Sequence, residues 1–218
     1  MKINIIRKAY IMKEYEKMQN GMIYDCFDEE IGKEQERSHR LCDEYNKTLY
    51  DEKEKRKEIL LKLFEKEAFE GYRSMEMPIF IDNAKELKIG KNFYSNVYFS
   101  YIGGCPVEIG DNVFIGPFCT LATGIHSLIA KERRVQIDEN GTAHDYEYGK
   151  PIKIGNDVWI ASNVTICGGV TIGDGAVIGA GSVVTKDIPS GTIAVGNPCE
   201  VKRKITEKDS MYLKAKRE

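Results

Sequence analysis

The chain has 218 residues, 42% of them hydrophobic and 30% charged, with Lys+Arg 32 against Asp+Glu 34 for a net charge of −2. This is a globular balance; it argues against a disordered or collagen-like chain and leaves no strongly basic field of the kind that neutralises nucleic-acid phosphates. No apolar run reaches the ~20 residues of a membrane helix, and Asn4, Arg7 and Lys8 interrupt Ile3, Ile5 and Ile6 before a signal-peptide core can form. The expectation is a soluble, cytoplasmic protein with no nucleic-acid and no membrane partner. Met12 offers an alternative start, so residues 1–11 stay outside the fold argument.

Residues 12–70 read as helical. Ile31, Ser38, Leu41, Cys42 and Tyr45 recur at spacings of three, four or seven, which marks one face of an amphipathic helix. After a turn around residues 46–50, Asp51 and Glu54 supply a D-x-x-E start signal, and Ile59, Leu60, Leu63 and Phe64 line one side of a second helix. Two helices with one apolar face each need a larger body to pack on, and a cap on the main domain is the simplest arrangement.

Glycine divides the chain, since 17 of its 20 glycines lie between Gly90 and Gly196. There the period changes as well. Ile154, Ile160, Ile166, Ile172, Ile178 and Val184 are spaced by six residues without exception, and Ile109, Ile115 and Leu121 obey the same rule. Six fits neither the 3.6 residues of a helix nor simple strand alternation, but it is the signature of a hexapeptide-repeat parallel β-helix. Each hexad supplies a short strand and a corner, and three hexads close a triangular coil. The aliphatic residue points inward, each contributing roughly 1.5–3 kcal/mol on burial. Gly110, Gly116, Gly155, Ala161, Gly173 and Gly179 keep the corners tight, while Asp111, Asn112, Asn156, Asp157, Asn163 and Asp174 suit turns that bond their own backbone. The β-helix is expected over 71–206, with about four coils counted from Ile89 and a tail over 207–218. Residues 127–150 interrupt the repeat with a polar excursion loop, and loops this long inside a regular fold are usually functional or disordered.

The six cysteines form no C-x-x-C pair and read as reduced thiols in a reducing compartment. Of the three histidines, His39 falls on the polar side of the first helix and His144 in the loop, where solvated positions are expected. His126 ends a coil where the chain leaves the solenoid, between a rigid scaffold and a long loop. That placement suits a general base; by position alone, a capped structural histidine fits equally. A three-histidine metal site is disfavoured because only His126 belongs to the repeats, and no metal is expected. No phosphate-binding loop, nucleophile elbow or dinucleotide fingerprint occurs.

The segments Gly149-Lys-Pro-Ile-Lys-Ile-Gly-Asn-Asp-Val-Trp-Ile160, Val170–Pro189 and Ala194-Val-Gly-Asn-Pro-Cys199 closely resemble the maltose and galactoside O-acetyltransferases. Residues 18–64 resemble that family's helical cap, Asn92-Phe-Tyr-Ser-Asn96 its acceptor-side motif and Gly124-Ile-His126 its catalytic histidine segment. The resemblance spans roughly residues 14 to 206. It implies a left-handed parallel β-helix assembled as a homotrimer, with active sites between subunits and acetyl-CoA as co-substrate. It further implies His126 as general base and the backbone N–H of Ser162 facing the oxyanion. Asp25, Asp82, Tyr94, Asn96 and Glu147 would meet the acceptor, and Trp159, Ser162, Ala180, Thr185, Lys186 and Arg203 would meet CoA.

Three departures bear on what binds. Gly103-Gly104 stand where the galactoside enzymes carry an acidic residue. Glu200 replaces a basic residue after Pro-Cys, with Lys202, Arg203 and Lys204 nearby, and the excursion loop is longer than usual for the family. The reading is an acetyl-CoA-dependent O-acetyltransferase acting on a sugar or sugar-like hydroxyl. Acetylation of an antibiotic or other xenobiotic hydroxyl, and a non-catalytic scaffold, are the alternatives.

Overall fold

A computed structural model describes residues 12–66 and 68–214. Residues 1–11, with the reading of Ile3, Ile5 and Ile6, lie outside the described residues, as do Glu67 and residues 215–218.

The described residues begin with helix α1 (Glu14–Gln19) and strand β1 (Tyr24–Asp25), followed by α2 (Glu29–Asn46) and α3 (Lys53–Leu63). The Asp28 carboxylate caps α2 by accepting from the N–H groups of Glu30 and Ile31. The apolar stripes expected on α2 and α3 are buried. The D-x-x-E signal does not act as a cap: α3 starts one residue later, with Glu52 as its N-cap. The Glu52 carboxylate accepts instead from the Leu49 N–H at 2.7 Å, fixing the preceding turn. Helix α1 carries one buried residue, Met18, too few to leave a periodic trace in the sequence.

Strands then follow at hexad spacing. The first coils hold β2 (Arg73–Met75), β3 (Ile79–Ile81), β4 (Leu87–Ile89), β5 (Phe93–Ser95) and β6 (Phe99–Ile102). The next holds β7 (Val107–Ile109), β8 (Phe114–Ile115) and β9 (Thr120–Ala122). The excursion carries β10 (Gly124–Ile125), β11 (Gln136–Ile137), β12 (Ala143–His144) and β13 (Tyr146–Gly149). Coiling resumes with β14 (Ile152–Ile154), β15 (Trp159–Ile160) and β16 (Thr165–Cys167). It ends with β17 (Thr171–Ile172), β18 (Val177–Ile178), β19 (Val183–Val184) and β20 (Thr192–Val195), before β21 (Glu200–Lys204) folds back antiparallel on β20. A short helix α4 (Met211–Lys214) closes the described chain. Three parallel faces result: β4-β7-β14-β17, then β2-β5-β8-β15-β18-β20, then β3-β6-β9-β16-β19.

Coiling starts at Arg73, ahead of the count from Ile89. Met75, Ile81 and Leu87 already lie six apart and are all 3% exposed or less, but a thioether at the first position and Phe93, Ser95, Phe99 and Tyr101 at the inward positions that follow hide the ladder from an aliphatic count. A second inward ladder also escaped the sequence reading. Ile152, Val158, Val164, Val170, Ala176 and Ser182 lie six apart and are all buried, so each of these hexads buries two side chains. The corners are tight for the expected reason, since a Cβ on Gly155 would fall 2.3 Å from Asp174 Oδ1. The Asn and Asp side chains behave differently from expectation and bond the adjacent coil rather than their own turn. Asp111 accepts from Lys91 N–H, Asn156 from Asp111 N–H and Asp174 from Asn156 N–H, at 2.6–2.8 Å. Beside this ladder, Asn92, Asn112 and Asp157 occupy φ of +53 to +58°, and Asn92 donates to Asn112 and Asn112 to Asp157, each at 2.9 Å.

The cap shares one apolar core with the first coils, where Leu41, Tyr45, Ile59 and Leu63 meet Met75, Ile79 and Ile81. It also completes the open strand edge. The Asn46 side chain donates to Ile79 C=O and accepts from Ile79 N–H, both at 2.8 Å, as a neighbouring strand would.

Candidate active site

The third face ends at Ala122, and the chain swings out through β10 to His126. There β13 lies between β10 and β1 in a three-stranded antiparallel sheet, pairing Gly124 with Gly149 and Tyr24 with Glu147. The excursion is therefore partly ordered by pairing. A β11–β12 hairpin forms its outer part, and β13 returns the chain to the coil, where Lys150 N–H donates to Thr123 C=O at 3.0 Å.

This sheet brings His126 and Glu147 together, with Nε2 3.7 Å from Oε2. The His126 side chain is 57% exposed and Glu147 14%, so the imidazole is held on one side and open on the other. The Tyr24 hydroxyl donates to the other Glu147 oxygen; burial, then the Glu147 charge, holds that phenol in its protonated, donating form. The same two causes raise Cys105 to about 11, and burial comes first in raising Cys26 and Cys119. None of these thiols is a nucleophile at neutral pH.

Asp82 reaches the same corner from β3. Its Oδ2 accepts from Gly103 N–H and its Oδ1 meets His39 Nε2, each at 2.8 Å. His39 thus departs from its expected solvated role: it packs at 4.9 Å on the Phe80 ring and anchors Asp82. No acidic side chain fits where Gly103-Gly104 stand. Gly103 has φ +100° with Gly124 N 2.6 Å from a notional Cβ, and a Cβ on Gly104 would fall 2.1 Å from Met18 Sδ of α1.

His144 corrects the other solvated expectation. Its Nδ1 meets Asp25 Oδ2 at 2.6 Å and its Nε2 lies 3.5 Å from Asp138 Oδ2. Asp25 Oδ1 also accepts from the N–H groups of Asp145 and Phe27. Burial works against this carboxylate, but the His144 bond and the two amide bonds outweigh it and hold Asp25 below the usual range. Asp25 thereby ties cap, hairpin and β13 together. Tyr24 and His144 were not legible as site residues, because their partners lie 123 and 119 positions away.

The remaining expected residues lie elsewhere on the prism. Tyr94 and Trp159 project from the second face, in register with Phe114. Asn96 follows β5, with its Oδ1 accepting from Val97 N–H. Ser162 and Ala180 stand at the corner between second and third faces on successive coils, where Gly181 N–H donates to Ser162 C=O. Thr185 and Lys186 follow β19 at the far end of the third face, the corner from which His126 departs two coils below. Arg203 lies on β21 opposite Ile193, its guanidinium forked onto both Asp209 oxygens at 2.7 Å. Ser162 and His126 are separated by the width of a face, about six extended residues or on the order of 15–20 Å.

Residues 17–67 match the model of the maltose acetyltransferase hexapeptide capping motif, 106–126 the hexapeptide repeat of succinyl-transferase, and 151–186 the bacterial transferase hexapeptide. Over 197 residues the chain is 36% identical to the galactoside O-acetyltransferase of Escherichia coli (strain K12), spanning 90% of this chain and 92% of that one. The chain belongs to the maltose and galactoside O-acetyltransferase family. Among solved members, a maltose O-acetyltransferase from Clostridium difficile 630 is 44% identical with a TM-score of 0.80, over 91% of this chain and all of that one. A galactoside acetyltransferase in complex with coenzyme A is 37% identical, also at 0.80, over 91% and 94%. As in the family's capping motif, helices precede the coils, and the His126 corner lies where cap, coil and excursion meet. Among the described residues no helix is long and apolar enough to cross a membrane.

Proposed function

We propose that this protein transfers the acetyl group of acetyl-CoA to a hydroxyl of a sugar or sugar-like acceptor, with His126 as general base. The observation that carries the reading is the His126–Glu147 pair: one imidazole edge faces a carboxylate while the rest of the ring is open. His126 removes the hydroxyl proton as the acceptor oxygen attacks the thioester carbonyl, and returns it to the sulfur as the C–S bond breaks. A base so placed is worth about 10²–10⁴ in rate. Glu147 positions the ring; Tyr24 holds Glu147. Asp82 and Asp25 bound the acceptor side, Asp25 chiefly by fixing the loop.

The N–H of Ser162 is the proposed oxyanion donor. Since it lies a face-width from His126 of its own chain, the proposed donor for each His126 comes from a neighbouring copy, in the homotrimer that the family resemblance implies. The exposed rings of Phe114, Phe118 and Trp159, each 54% exposed, supply apolar surface for that contact. Trp159, Ala180, Thr185, Lys186 and Arg203 are the proposed CoA contacts; Arg203 must exchange Asp209 for a CoA phosphate.

Purified protein with acetyl-CoA, a thiol-trapping dye and a panel of hydroxyl acceptors tests this. CoA release that depends on an acceptor and falls by 10²–10⁴ in His126→Ala, with unchanged melting, is expected. Equal rates in parent and variant overturn the assignment.

A further inference from the structure

Between α3 and the first coil there is a cavity of about 470 Å³, a volume typical of small-molecule sites. It lies apart from the His126 corner of the same chain. Its wall carries four cations, Lys53, Arg56, Lys57 and Arg73, against two acids, Glu54 and Glu76. Two of the cations are withdrawn from water. Arg56 is 9% exposed, donates to Tyr45 Oη and Met75 C=O, and stands 3.7 Å from Glu76. Arg73 donates to the Ile89 and Gly90 carbonyls at 2.8 Å, and its guanidinium carbon lies 4.3 Å from the Phe69 ring centroid.

Among the described residues Arg73 has no carboxylate within ion-pair distance, and the Nε of both arginines is buried without a hydrogen-bond partner. Burial alone pushes the Arg73 guanidinium pKa down. With four cations against two acids on the wall, and no carboxylate paired to Arg73 among the described residues, the cavity suits an oxyanion. The rim is aromatic: Tyr50 and Tyr72 line the cavity and are 71% and 65% exposed. Tyr94 pairs in register with Ser74 of the cavity wall.

We infer that this cavity is an acceptor subsite for a ring bearing one oxyanion, a carboxylate- or phosphate-substituted sugar. Its anion meets Arg73 and Arg56, its ring lies between Tyr50 and Tyr72, and the hydroxyl-bearing end of the acceptor passes Tyr94. The inference rests on the acetyl-transfer reading only for that last part. Arginine supplies the planar fork that an oxyanion accepts, and the aromatic rim supplies flat faces for a pyranose ring.

The test is calorimetric binding of glucuronate, glucose 6-phosphate, glucose and inorganic phosphate to the full chain, followed by acetylation assays of the three sugars. One or both anionic sugars should bind at least about tenfold more tightly than glucose, and Arg73→Gln should remove that difference, as loss of a charge-assisted hydrogen bond would. Tyr72→Ala, at an exposed position, should weaken the anionic sugars while leaving the fold intact. Binding of glucose as tight as that of both anionic sugars, or indifference to both substitutions, overturns the subsite. Phosphate binding as tight as glucose 6-phosphate with no glucuronate binding also overturns it, as an adventitious ion only. Arg73-dependent binding without turnover of any acceptor sinks the transfer reading and leaves the binding site standing. Turnover of neutral and acidic sugars alike, unaffected by Arg73→Gln, does the reverse.

Discussion

The stacked coils and the small sheet of β1, β13 and β10 are built on opposite rules. In the coils each strand pairs with one a coil away, the contacts repeat, and the interior is almost wholly apolar. The side sheet joins three segments from distant parts of the chain through polar contacts: Tyr24 on Glu147, His144 on Asp25, His126 beside Glu147. The coils provide a rigid edge, and the side sheet places titratable groups against it. Repetition gives position and irregularity gives chemistry.

Substitutions in the two regions should separate these roles, and the coil gives the largest effect. Ile172→Asp puts an unpaired carboxylate at a fully buried rung between neighbouring coils, a cost of several kcal/mol. Circular dichroism should show loss of the cooperative melt; a folded, active variant would break the claim that the stack is the foundation. Glu147→Gln should leave melting and acetyl-CoA binding near parental while lowering kcat, by less than the 10²–10⁴ expected of the base itself. A Glu147→Asp variant should recover part of the loss, and an unchanged kcat for Gln would show that His126 needs no carboxylate.

The hairpin sharpens the comparison through pH. The hydrogen bond that His144 donates to Asp25, the first cause, and the nearby Asp138 raise the His144 pKa above its ordinary 6.5. Stabilisation from protonated His144 is therefore complete below that value and is lost as pH rises through the raised one. Asp25, held low, contributes above its ordinary carboxylate range and loses its share only as pH falls through its depressed pKa. Amide exchange in residues 136–144 should quicken from neutral to alkaline pH more than intrinsic chemistry demands, while coil amides follow the intrinsic rate. His144→Ala should abolish the excess. The smallest effect belongs to Asn112→Gly, which keeps the φ of +58° but removes one inter-coil side-chain ladder. It should cost about 1 kcal/mol in denaturant melts.

The same division explains what was legible in the sequence. Hexad spacing from Ile109 to Val184 is a local signal and yielded the fold. The coil count began at Ile89, although the β-helix was expected from residue 71, because Met75 hides the start of the spacing, and Ser182 and Ala176 masked the second ladder. His126 was visible from where the repeat breaks. Its carboxylate neighbour was not, because only the pairing of β13 with β10 brings Glu147 back across the excursion. His39 and His144 were read as solvated for the same reason: their partners Asp82 and Asp25 are remote in sequence. The Gly103-Gly104 departure became intelligible only through Met18, which fills that space from a helix too short to predict.

The Asn46 amide, which imitates a strand on the exposed edge of β3, has a consequence for assembly. A column of parallel rungs is an open-ended template, and a bare terminal rung invites the next molecule to dock on it. Removing the helix that carries it would bare the edge of β3 to such docking.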